Sequence, residues 1–279
     1  MKTLLIPVDF SGTTENVIKY AAGFSCDTHV DRIILLKSYY ISVYEEILPS
    51  PDFVQLSAEN IDEERQKVES NLKVLSKELL KKCTPNIKID TIVSDLPLIR
   101  AIHQVIADEH PNRLMIGSDN NPNENDSYIG EQLIAIAKTS SIPVYIIPCC
   151  VTYEKIEKAL VPCDFDVISR LSALQGFRDP KKWLHPELMI LNVDPRQKHT
   201  VNNEQPAAGL VESLEGYDYK VYHSHDKDIV HGIFDFARKH NPQLIIALPG
   251  KYSFFYNLTH RSITKALALN ATRPVLILK

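Results

Sequence analysis

Ile6-Pro7-Val8-Asp9-Phe10 lies near the start of the chain and recurs as Val161-Pro162-Cys163-Asp164-Phe165, at an offset of 155 residues. Two more segments recur in the same order, at offsets of 130 and 131. They are Glu109–Ile116 with Lys239–Ile246, and Ile142–Ile147 with Arg273–Leu278. Three matches in a fixed order indicate an internal duplication. Because the offset falls from 155 to 130, we predict that the second copy lacks 25 residues between its first and second matches.

Each half alternates short runs rich in Ile, Leu and Val with amphipathic segments. Such runs are typical of strands buried on both faces of a parallel sheet. The clearest predicted helix is Ser57–Cys83, which has apolar residues at helical spacing and an acidic opposite face. The alternation predicts right-handed βαβ crossovers and a parallel sheet in each half. The predicted strands are Leu4–Val8, Arg32–Lys37, Ile87–Val93, Arg113–Gly117, Val144–Pro148, Ala159–Pro162, Leu188–Val193, Tyr219–His223, Leu244–Ala247 and Val275–Leu278.

We therefore predict an α/β protein of two tandem domains, 1–150 and 151–279, each a five-stranded parallel sheet with helices on both faces. The second domain lacks the long second helix, and only a short helix near Ala207–Leu214 takes its place. In open sheets of this kind, ligands bind beyond the carboxyl ends of the strands. That rule places the candidate sites in the turn after the first strand and the loop after the fourth strand of each half.

Composition excludes several classes of protein. The net charge of −4 lacks the positive charge that is typical of nucleic-acid-binding proteins. The five cysteines are scattered and form no Cys-x-x-Cys motif, which indicates reduced thiols in a cytoplasm. No stretch approaches the roughly 18 apolar residues of a membrane span, and the first apolar run is too short for a signal peptide. We expect a cytoplasmic protein that binds neither nucleic acid nor membranes.

The repeated segments resemble the universal stress protein family, twice, over nearly the whole chain. The matching residues are Ile6–Ser11, Leu114-Met115-Ile116-Gly117-Ser118 and Ile142–Ile147, with Val161–Phe165 and Arg273–Leu278 in the second half. The resemblance implies two Rossmann-like domains of the adenine nucleotide alpha hydrolase type. It further implies an intramolecular pseudo-dimer in which Val144–Ile147 pairs with Val275–Leu278, and it leaves open a homodimer of whole chains.

ATP-binding members of that family carry Gly, two residues, Gly, nine residues, Gly, then Ser or Thr. Glycines allow backbone N–H groups to approach phosphates at a helix N-terminus. In the first half this spacing falls on Gly117, Asn120, Gly130 and Glu131. Asn120 tolerates a left-handed conformation, whereas the carboxylate of Glu131 would repel a phosphate. The first-half motif is therefore interpreted as degenerate.

The second half departs from the same motif in another way. Ala247 is aligned with the first glycine and Gly250 with the second, and Arg261 and Ser262 follow near the start of a predicted helix. Those two residues form a candidate anion site. The aromatic run Tyr252–Tyr256 either fills this crevice or forms an interface with another chain.

Asp9 and Asp164 follow the first strand of each half and complete the two candidate sites. A carboxylate in this turn can accept hydrogen bonds from a ribose or an adenine. It can equally satisfy the free N–H groups at the start of the next helix, with no ligand present.

His223-Ser224-His225 is the one cluster in the sequence with metal-binding potential. On a continuous strand the two imidazoles point in opposite directions, and no third ligand is defined by the spacing. The alternative is a polar turn in which Asp226 or Asp228 caps the next helix. We assign no metal.

No catalytic motif occurs: the sequence contains neither a Gly-x-Ser-x-Gly elbow nor a His-Glu-x-x-His pair. The leading hypothesis is a non-enzymatic binding or regulatory module in stress response, with degenerate nucleotide motifs and no required cofactor. The alternative is an ATP- or AMP-binding protein with one working site in either half and slow ATP hydrolysis. The expected ligand is an adenine nucleotide or another small anion, and the protein partner is unknown.

Overall fold

A computed structural model describes residues 1–40, 58–84, 86–118, 128–149, 151–165, 171–174, 184–195, 212, 214–248 and 272–279. The elements of the first half are β1 (Thr3–Pro7), α1 (Gly12–Thr28), β2 (Arg32–Ser38), α2 (Ala58–Lys82), β3 (Lys88–Ser94), α3 (Leu98–Glu109), β4 (Arg113–Ser118), α4 (Tyr128–Thr139) and β5 (Val144–Pro148). Those of the second half are β6 (Lys158–Pro162), β7 (Glu187–Val193), β8 (Tyr219–Ser224), α5 (Ile229–His240), β9 (Leu244–Ala247) and β10 (Val275–Ile277).

The strands of both halves lie in one sheet, in the order β3-β2-β1-β4-β5-β10-β9-β6-β7-β8 among the described residues. Within each half the strands are parallel, and the chain reverses its direction of winding beside β1 or β6. All ten predicted strands are confirmed to within one residue at each end, and the long helix predicted at Ser57–Cys83 is α2. The predicted short helix at Ala207–Leu214 lies largely outside the described residues.

The two halves join through an antiparallel ladder between β5 and β10. Leu276 lies opposite Tyr145, and Val275 lies opposite Ile146. This pairing confirms the expectation that the last strands of the two halves hold the chain together as a pseudo-dimer.

Each face of the sheet carries a hydrophobic core that runs through both halves. Leu4 on β1 and Leu276 on β10 pack on one face, together with apolar residues of α1 and α2. Leu5 and Ile277 pack on the other face, with residues of α3, α4 and α5. Because neighbouring residues of a strand point to opposite faces, the unbroken apolar runs of the sequence supply both cores.

Backbone hydrogen bonds define which residues of the two halves are equivalent. The N–H of Asn112 donates to the Thr3 carbonyl at 2.9 Å, and the N–H of Gln243 donates to the Lys158 carbonyl at 3.1 Å. The side-chain oxygens complete the match, because Asn112 Oδ1 accepts from the Thr3 N–H and Gln243 Oε1 accepts from the Lys158 N–H. Asn112 is thus equivalent to Gln243, at an offset of 131.

The predicted offset of 130 for this segment is therefore wrong by one residue. His110 ends α3 in a left-handed conformation at φ 48°, and its counterpart is Asn241, which ends α5 at φ 52°. The sequence match had instead aligned His110 with His240. With the offset falling from 155 to 131, the second copy lacks 24 residues, and the counterpart of Gly117 is Leu248.

Candidate functional site

The turn between β1 and α1 is organised by the carboxylate of Asp9. Its Oδ1 accepts hydrogen bonds from the Ser11 N–H at 3.0 Å, from the Ser11 hydroxyl at 2.6 Å and from the Thr14 hydroxyl. Ser11 Oγ accepts from the Thr14 N–H at 3.3 Å and is the N-cap of α1. Ser11, rather than the Asp9 carboxylate, therefore caps α1, and Asp9 holds that cap in place.

Phe10 follows Asp9 in a conformation that few side chains adopt. Its φ is 63°, and 36% of the side chain is exposed. Left-handed backbone at a bulky residue costs on the order of 1–3 kcal/mol and occurs most often at functional sites. The three bonds to the Asp9 carboxylate hold the turn in this shape, and the result is an aromatic ring exposed at the carboxyl edge of the sheet.

Lys37 contributes a cation to this crevice. It lies near the end of β2, the strand beside β1, and its Nζ is 5.3 Å from the centre of the Phe10 ring. Burial lowers the pKa of the half-buried ammonium, and the nearby Asp9 carboxylate partly opposes that shift. Lys37 is absent from the site residues that the sequence predicted. In the sequence, Lys37 directly follows Ile33–Leu36, four apolar residues that are buried in the structure. A lysine in that place is also expected at the solvated end of any strand, so it did not indicate a site.

Close packing explains why residue 117 is a glycine. A Cβ at this position would lie 2.3 Å from Thr13 Cγ2 and 3.0 Å from Val17 Cγ2. The first turn of α1 therefore rests directly on β4, and it is α1 that closely approaches the backbone of Gly117. The glycine alone is no sign of a phosphate at this position.

We predict that Gly117→Ala destabilises the protein by about 1–3 kcal/mol, because the added methyl overlaps a β-branched side chain of α1. Urea unfolding followed by circular dichroism measures the change. Gly12→Ala is the matched control, since a Cβ at Gly12 meets no atom within 4 Å. Equal stability of the Gly117→Ala protein and the wild type would contradict the packing explanation.

The rest of the predicted first-half motif is less fully described. Gly130 lies in the first turn of α4, which begins at Tyr128. Asn120 lies outside the described residues. The structure thus brings Asp9, Lys37 and Gly117 together at the N-terminus of α1 and leaves the role of Asn120 a prediction.

The predicted second-half motif changes with the corrected alignment. Leu248, and not Ala247, is equivalent to Gly117, and its side chain is buried. The first glycine of the motif is therefore replaced by a large apolar residue. Gly250, Arg261, Ser262 and the aromatic run Tyr252–Tyr256 lie outside the described residues, whereas Asp164 is exposed at the end of β6.

The polar turn after β8 caps the next helix. Asp228 is the N-cap of α5, and its Oδ1 accepts from the His231 N–H at 2.9 Å. Asp226 accepts from the Asp228 N–H and pairs with His231 Nδ1 at 2.6 Å. His223 and His225 are both exposed. Across the described parts of the chain, no group of three or more His, Cys, Asp or Glu residues is arranged to hold a metal ion.

The Asp226–His231 pair predicts a pH dependence. The hydrogen bond that His231 donates to the Asp226 carboxylate raises the pKa of His231 above its usual 6.5. Because the histidine pKa is raised, the pair stabilises the folded state fully below pH about 6.5. That stabilisation is lost as the pH rises through the folded-state pKa. In an NMR titration, we expect His231 to lose its proton at a higher pH than a free histidine, and Asp226→Asn to return the midpoint to the ordinary value. An unchanged midpoint in Asp226→Asn would refute the pairing.

No helix in the described ranges is long and apolar enough to cross a membrane.

Comparison with known proteins rests on structure. No protein-family model matches the sequence, and no curated protein matches it. A universal stress protein from Archaeoglobus fulgidus DSM 4304 superposes on 99% of this chain and 96% of its own, with a TM-score of 0.65 and 18% identity. The chain has the universal stress protein fold. The resemblance inferred from the sequence is thereby confirmed at the level of the fold, as is the α/β class.

Two further solved structures superpose on nearly the whole chain. One is a protein of unknown function from Pseudomonas aeruginosa PAO1, with a TM-score of 0.52, 13% identity and coverage of 100% of this chain and 92% of that chain. The other is the cytoplasmic domain of a prokaryotic cation chloride cotransporter, with a TM-score of 0.52, 12% identity and coverage of 99% and 94%. At these identities the similarity defines the fold and leaves the ligand to be argued from the site.

Proposed function

We propose that the chain is a non-enzymatic regulatory module of the universal stress protein type, and that its first crevice binds a nucleoside monophosphate such as AMP. The observation that carries the proposal is the half-buried Lys37, whose Nζ lies 5.3 Å from the centre of the exposed Phe10 ring and whose pKa is affected by the charge of the Asp9 carboxylate. These three groups match the three parts of a mononucleotide. The ammonium pairs with the phosphate, the carboxylate accepts from ribose hydroxyls, and the ring stacks on the base.

A monophosphate fits this crevice better than a triphosphate. Lys37 supplies one positive charge, whereas the segment after β4 carries Glu124, Asp126 and Glu131 in the sequence. The close packing of Thr13 against Gly117 explains the glycine without a phosphate chain. Each added phosphate increases the repulsion without gaining a partner among the described residues.

The chemistry of the turn supports binding without turnover. The Ser11 hydroxyl donates to Asp9 and accepts from the Thr14 N–H, so both its proton and its lone pair are engaged in capping α1. The buried Leu248 in place of the first glycine of the second-half motif further supports a module that senses a ligand without cleaving it.

Calorimetric titration of the full chain with AMP and ATP tests this proposal. We expect AMP to bind at least about 10-fold more tightly than ATP, and Lys37→Met to weaken AMP binding by about 10-fold or more, because a charge-assisted hydrogen bond to the phosphate is lost. Lys37→Met retains the apolar stem and so limits damage to the fold.

Lys88→Met serves as the control, since Lys88 is an exposed lysine at the opposite end of the neighbouring strand β3 and pairs with Asp90. Its AMP affinity should equal that of the wild type. Tight ATP binding that survives Lys37→Met, or release of phosphate from ATP at a rate that depends on the protein, would overturn the proposal.

A further inference from the structure

The two crevices carry different groups at the same structural position. In the first half the Val8 N–H donates to the Leu36 carbonyl at 2.8 Å, and in the second half the Cys163 N–H donates to the Leu191 carbonyl at 2.9 Å. Leu36 and Leu191 are therefore equivalent, and so are the residues that follow them, Lys37 and Asn192. The cationic ammonium of Lys37 in one half is replaced by the neutral amide of Asn192 in the other.

Asn192 presents a buried acceptor with no partner. Only 3% of the residue is exposed. Its Nδ2 donates to the Cys163 carbonyl at 3.2 Å, and this bond fixes which side of the amide is nitrogen, because the reversed amide would set two oxygens against each other. Its Oδ1 is buried and has no hydrogen-bond partner within the described structure. A buried acceptor left in this state is unfavourable until a donor reaches it.

The surroundings of Asn192 define what kind of donor fits. His223 lies opposite Asn192 on the neighbouring strand β8. The Phe165 and His223 rings are 5.4 Å apart and nearly perpendicular. Asp164 is exposed, and in the sequence it lies between Cys163, whose carbonyl accepts from Asn192, and Phe165. Aromatic rings, a carboxylate and an amide oxygen thus converge on the carboxyl ends of β6, β7 and β8.

We propose that the second crevice binds a guanidinium group, with Asn192 Oδ1 as the acceptor at its base. A guanidinium is planar and cationic and carries five N–H donors. It bonds a carboxylate and an amide oxygen together and stacks on aromatic rings. Asp164 pairs with the cation, and because the Phe165 and His223 rings are nearly perpendicular, one of the two lies against its plane. The proposal concerns a different crevice from that of the mononucleotide and stands independently of it.

Calorimetric titration of the full chain with agmatine at pH 7.5 tests the inference. The matched probe is N-carbamoylputrescine, which has the same amine chain but a neutral urea in place of the guanidinium. We expect agmatine to bind at least about 10-fold more tightly than the urea compound, because the charge-assisted bond to Asp164 is lost. A capped Gly-Arg-Gly peptide distinguishes the source of the guanidinium: binding of the peptide indicates an arginine of a partner protein, and binding of agmatine alone indicates a small molecule.

Two variants assign the binding to this crevice. Asn192→Leu removes the acceptor at similar volume, and Asp164→Asn removes the exposed charge with little risk to folding; each should weaken agmatine binding by about 10-fold. Asp218→Asn is the control, since Asp218 is exposed at the opposite edge of the same half and should leave the affinity unchanged. The inference is overturned if agmatine does not bind, if it binds no better than the urea compound, or if Asp164→Asn keeps the wild-type affinity.

Discussion

The antiparallel ladder between β5 and β10 is the contact on which the rest of the architecture depends. Each half is an open parallel sheet, and an open sheet exposes unpaired backbone groups along its last strand. Pairing Leu276 with Tyr145 satisfies those groups and merges two half-cores into cores that run through the whole sheet. The last strand of each half is therefore covered by the other half.

The same ladder determines where the two crevices lie. Strands of the first half run parallel to β5, and strands of the second half run parallel to β10. Because β5 and β10 are antiparallel, the carboxyl ends of the two halves lie on opposite edges of the sheet. Each crevice is therefore open to its own ligand, and the replacement of Lys37 by Asn192 is free to change the chemistry of one crevice without disturbing the other.

The parts of the fold that repeat a simple physical pattern could be predicted from the sequence, and the parts that depend on packing could not. Unbroken apolar runs identified inner strands such as β1 and β4, which are buried on both faces, whereas the edge strands β3 and β8 are more polar and partly exposed. The repeats were misaligned at His110 because His240 is identical to it. The structural counterpart is Asn241, which has the left-handed conformation of a helix end. Gly117 fits the spacing of a phosphate-binding motif. Its packing against Thr13 could not be predicted, because that contact joins elements about a hundred residues apart. Lys37 was missed because a lysine at a strand end is ordinary until its neighbours are known.

A crystal structure of the protein with AMP would show whether the first crevice is a mononucleotide site built on Lys37. We expect a single AMP beyond the carboxyl end of β1, with its phosphate within hydrogen-bonding distance of Lys37 Nζ, its ribose on Asp9 and its base against Phe10. An empty first crevice at saturating AMP, or AMP bound in the second half with Lys37 still over the Phe10 ring, would contradict it.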